Sequence, residues 1–162
     1  MANLKESVVV AGSQQAVLWL STLLLATILL VAAYGKMFYP TEELSRLDFW
    51  VSIFEIGLLA NLILYRNHWA MWLFAAGIFA CWGGYSLFWF QAELPCSCMG
   101  AYFDLPNGLS LAINGAFYVL SVGLARWIGA PSSWWYGSFV NASVLALGGF
   151  AFAQWIYQTV VV

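Results

Sequence analysis

Apolar residues run along the chain in five long stretches, each near the twenty or so residues that a membrane-spanning helix requires. The first covers about Ala16 to Tyr39 and is expected to end at Pro40. The second, from about Phe49 to Tyr65, is short and interrupted by Glu55. The third runs from about His68 to Gln91, the fourth from Gly108 to Ile128, and the fifth from Trp134 to Val160. A Gly129-Ala130-Pro131 break separates the last two. No stretch alternates apolar and polar residues as the strands of a membrane barrel do. The pattern predicts an all-α, polytopic membrane bundle of four core helices plus a C-terminal fifth. A tail of residues 1–15 precedes a single helical domain, and a polar segment at 92–107 forms the longest interruption.

Aromatic placement agrees with these limits. Nine of the ten tryptophans lie towards predicted helix ends, where indole rings favour the interface, and Trp82 alone sits near a helix centre. The first apolar run is too long for the core of a cleaved signal peptide and reads as a signal anchor. Lys5, Arg66 and Arg126 fall on the side of the N-terminus, against Lys36 and Arg46 on the other. The positive-inside bias therefore favours a cytoplasmic N-terminus and an external 92–107 loop. On the third helix, Ala76, Ala80 and Gly84 recur every four residues beside Gly77 and Cys81, a seam of small residues that permits close helix packing.

Composition narrows the chemistry. Of 162 residues, 64% are hydrophobic and 7% charged, and the net charge is −2. A water-soluble globule is excluded, because such domains are about a quarter charged. Five Lys and Arg leave no basic surface for nucleic acid. The expected surroundings are a lipid bilayer, with a protein client or a membrane-complex partner.

Function must then come from few polar residues. Lys36 lies about one turn before the outer end of the first helix. Glu55 lies roughly 9 Å below the predicted start of the second, at the helical rise of 1.5 Å per residue. Asn114 sits at a similar depth in the fourth, so all three lie beneath the loop that carries Cys96 and Cys98. A lone carboxylate at that depth is costly, so Glu55 either pairs with Lys36 or stays protonated. The pair could fix helix register, or Glu55 could relay a proton.

Cys96-Ser97-Cys98, between Pro95 and Gly100, could close a strained and easily reduced disulfide on the side where disulfides persist. It could equally be a structural bridge or two inert thiols. With Met99 and Met37 the thiols would also suit Cu(I), but no further Met or His cluster supports copper, and no metal site is expected. A small-ligand pocket, for a quinone for example, could be lined by Trp82, Tyr85, Glu55 and Asn114.

These residues resemble the MauE family of methylamine-utilisation membrane proteins, within the wider DoxX-like group. The likeness rests on Gly35-Lys36, on Glu55-Ile56-Gly57-Leu58-Leu59 and on Cys96-Ser97-Cys98-Met99-Gly100. Asn114 falls where the family carries an Arg-Asn pair, with Ile113 at the Arg position. The resemblance implies a multi-pass inner-membrane protein with an external dithiol, Cys96 and Cys98, acting in thiol–disulfide chemistry or redox-protein maturation. A non-catalytic accessory subunit of a larger membrane complex is the alternative.

Overall fold

Three of the helices bury a stripe that has leucine at one end and polar residues at the other. The computed structural model describes residues 12–40, 45–93 and 106–161. They form α1 (Gly12–Phe38), α2 (Ser45–Tyr65), α3 (Trp69–Gln91), α4 (Asn107–Ile128) and α5 (Trp134–Ile156), with a π-helical turn at Tyr157–Val161. No strand occurs among the described residues. All five helices are long and apolar enough to cross a membrane, and the chain is an all-α multi-pass membrane bundle.

On α1 the buried residues Leu18, Thr22, Leu25, Leu29, Ala32 and Lys36 recur at alternating steps of four and three. That spacing keeps one face turned to the bundle. Lys36 occupies the next position of the same stripe, so the helix itself aims its side chain inward. On α2 the buried face runs Asp48, Ser52, Glu55, Leu58, Leu62, and on α4 it runs Ser110, Asn114, Phe117, Ser121, Leu124. Antiparallel packing stacks the leucine ends with Trp72, Ala75 and Phe79 of α3 into one apolar core. The polar ends of the stripes gather at the opposite end of the bundle.

The helices fall into two groups. α1 and α2 pair along their lengths, while α3 packs closely against both α4 and α5. Among the described residues, the backbones of the two groups come close at few places, with α2 and α3 the main pair. The fifth helix is therefore as much a partner of α3 as the fourth is. Their crossing is tight: a Cβ added at Gly84 would lie 1.8 Å from the Ala146 carbonyl oxygen, and one at Gly149 would lie 1.9 Å from that of Cys81. The small-residue seam of α3 thus lets two backbones touch in a medium where van der Waals contact drives association.

Local chemistry sets the helix ends. α4 stops at Gly129, whose φ of 112° is accessible to glycine at little cost. There the amides of Ala130 and Gly129 donate to the carbonyls of Ala125 and Arg126, at 3.0 and 3.1 Å. This is a Schellman closure, with Pro131 beyond it to prevent continuation. At the α2–α3 turn the Arg66 guanidinium stacks over the Trp19 ring of α1, 3.7 Å from its centroid. The Trp72 indole donates to the Arg66 carbonyl at 2.6 Å, tying the same turn to α3. α2 begins at Ser45, four residues before the expected Phe49, which carries Asp48 into its first turn. A carboxylate there complements the helix dipole.

Candidate functional site

Between the two groups of helices, at the polar end of the stripes, lies a cavity of about 210 Å³. Every helix contributes: Ala32 and Lys36 from α1, Asp48 and Glu55 from α2, Trp82 and Tyr85 from α3, Ser110 and Asn114 from α4, Phe152 from α5. The walls are mostly apolar, completed by Ile28, Leu29, Phe79, Ile113 and Phe117.

An ion pair in its wall joins α1 to α2. Lys36 Nζ donates to Glu55 Oε1 at 2.5 Å, with the two residues only 6% and 2% exposed. Of the two ways to meet the cost of a buried carboxylate, the structure contains the pair. With α2 starting at Ser45, Glu55 lies roughly 15 Å along the helix at 1.5 Å per residue, deeper than the sequence pattern implies. The second carboxylate oxygen, Glu55 Oε2, is buried and has no hydrogen-bond partner among the described residues. An acceptor left so in an apolar interior is costly, about 1–3 kcal/mol. One oxygen of the Glu55 carboxyl group is thus satisfied and the other is not.

A second polar cluster ties α3 to α4. Asn114 Nδ2 donates to Ser86 Oγ at 3.1 Å and to the Ser110 carbonyl at 3.0 Å. The two serine hydroxyls lie 3.0 Å apart. Interhelical hydrogen bonds of this kind contribute about 0.6 kcal/mol on average in membranes, up to about 1.7. Asn114→Leu is accordingly expected to lower stability by about 1 kcal/mol, read by denaturant unfolding in detergent, because Ser86 and Ser110 keep each other. A loss above about 3 kcal/mol would instead mean that Asn114 carries more than these two bonds.

Lys36, Glu55, Asn114, Trp82 and Tyr85, all singled out in the sequence, line this one cavity. Cys96, Cys98 and Met99 lie outside the described residues. The segment that carries them joins Glu93, just past α3, to Pro106, which opens α4. Cys81 is half-buried and lines the cavity, close to the α3–α5 crossing. No group of three or more His, Cys, Asp or Glu able to hold a metal occurs among the described residues.

Asp48, Ser86, Ser110 and Gly149 were not evident as site or packing residues from the sequence. Ser110 and Asn114, one turn apart in an apolar helix, gave a usable signal, as did the Gly148-Gly149 pair. No protein-family model, no curated protein and no solved structure matches the chain.

Proposed function

We propose that the chain is a MauE-like membrane redox protein that exchanges disulfides with a protein client at the outer face of an inner membrane. The observation that carries this reading is the buried Lys36–Glu55 pair, lining a cavity with Ser110 and Asn114 at the end of the bundle from which the Cys96–Cys98 segment leaves α3 and enters α4. A charged pair is expensive in lipid and marks function by default. A dithiol in the adjoining segment gives that function a chemistry.

In the proposed reaction a client thiolate attacks one sulfur of the Cys96–Cys98 disulfide and forms a mixed disulfide. The second client thiolate then displaces it, leaving an oxidised client and the reduced pair. Two electrons and two protons have moved to Cys96 and Cys98. Turnover passes them to a lipid-soluble quinone, which becomes the quinol while the disulfide re-forms. Lys36 and Glu55 serve as charge and proton partners for this return step.

Substituting either Cys96→Ser or Cys98→Ser is expected to abolish client oxidation by membranes carrying the protein, without changing its helicity or detergent stability. A membrane-impermeant thiol reagent should label the native pair only after mild reduction, and only from outside, in a Cys81→Ala background. Unchanged client oxidation in both variants overturns the reading in favour of an accessory subunit. Full labelling without reduction shows that the resting pair is not a disulfide.

A further inference from the structure

We propose that the cavity between the α1–α2 pair and the α3–α4–α5 unit is a binding site for a neutral, hydroxyl-bearing aromatic ring. Its hydroxyl donates to Glu55 Oε2. This goes beyond the dithiol reading and stands without it.

Size and lining come first. A dry apolar cavity of about 150 Å³ is enough to bind benzene, and this one measures about 210 Å³. It therefore has room for a substituted or fused ring. The walls offer aromatic faces and edges from Phe79, Trp82 and Phe117, which pack against one another at 5.2–5.6 Å between centroids. Such surfaces favour a flat ring over a branched aliphatic body, since offset and edge contacts add to area burial.

Charge then decides the polar end. Glu55 is 2% exposed, and its Oε2 has no hydrogen-bond partner among the described residues. The oxygen accepts only, so the ligand must bring a donor. A cationic donor is disfavoured, because Lys36 Nζ already sits 2.5 Å from the other oxygen of the same carboxylate. An anionic ligand is disfavoured by Glu55 itself and by Asp48, which also lines the cavity. What remains is a neutral donor on an apolar ring: a phenol, naphthol or quinol.

Fluorine NMR on the full chain in lipid nanodiscs tests this with a fluorinated naphthol and its methyl ether, protein-free discs being subtracted. The naphthol is expected to give a protein-dependent bound signal and to bind about tenfold more tightly than the ether, which leaves Oε2 unsatisfied. In Lys36→Met/Glu55→Leu the preference should fall to about one while binding of the ether persists, since the apolar pocket survives without its charges. Ala32→Phe, or Ile113→Phe from the α4 side if the first does not fold, should abolish binding of both probes by filling the space. Cys96→Ser/Cys98→Ser should bind the naphthol like the native chain, so a failed dithiol reaction leaves this site standing. Equal affinity for both probes in the native chain, binding that survives the filling variants, or no protein-dependent signal would each overturn the proposal.

Discussion

Replacing Lys36 with methionine alone is expected to cost about 3–5 kcal/mol of bundle stability, because it leaves a buried carboxylate without its counter-charge. Glu55→Leu alone should be costly for the converse reason, although Lys36, in the last turn of α1, can reach the interface more cheaply. The pairing is intimate, with both residues almost fully buried and one oxygen directly bonded. The double variant Lys36→Met/Glu55→Leu should recover most of the loss, since replacing a buried pair by apolar residues of similar volume is often neutral. Unfolding of all four proteins in the same detergent gives the coupling energy directly. Additive single costs would mean that the two residues do not act as a pair in stability. Full recovery of stability together with lost client oxidation would separate the pair's functional role from its structural one.

The second large effect falls at the α3–α5 crossing. Gly84→Ala and Gly149→Ala each place a methyl group within 2 Å of a backbone carbonyl, at 1.8 and 1.9 Å, and no rotamer relieves the clash. The two helices must separate, at an expected cost of about 3 kcal/mol for either substitution. The neighbouring Gly148→Ala is the control. A Cβ there meets nothing within 4 Å, so it should be neutral or slightly stabilising, as expected when alanine replaces glycine in a helix. The double Gly84→Ala/Gly149→Ala variant should cost less than the sum, because the first methyl already forces the separation that the second needs. If Gly84→Ala behaves like Gly148→Ala in thermal unfolding, the close α3–α5 crossing is wrong.

How much of this could be read from the residues alone differs from one feature to another. The five helices follow from length and hydropathy, because a membrane leaves few alternatives to a helix. The meeting of Lys36 with Glu55 was legible as a match of depths in adjacent antiparallel helices. It is reinforced by a register that was less evident: both residues extend stripes whose other members are buried, such as Leu29 and Leu58. The small residues of α3 announced a close approach, but not that α5 supplies the other side through Gly149. The cavity was legible only through its residues. Trp82, Tyr85, Glu55 and Asn114 could be grouped by depth, yet the space among them depends on how far the α1–α2 pair stands from α3. No local pattern encodes that separation. The dithiol remains a feature of the sequence, because Cys96 and Cys98 lie outside the described residues.

Phe152 lines the cavity from α5 and is also 44% exposed on the outer surface of the bundle, where lipid chains lie. One side chain therefore belongs both to the cavity wall and to the exposed flank of α5, so a lateral route from the acyl region into the cavity would pass it. A solute taking that route partitions into the bilayer before it meets the protein. Its occupancy is then governed by its mole fraction among the lipids, so a compound scarce in water but enriched in the membrane can saturate the bundle.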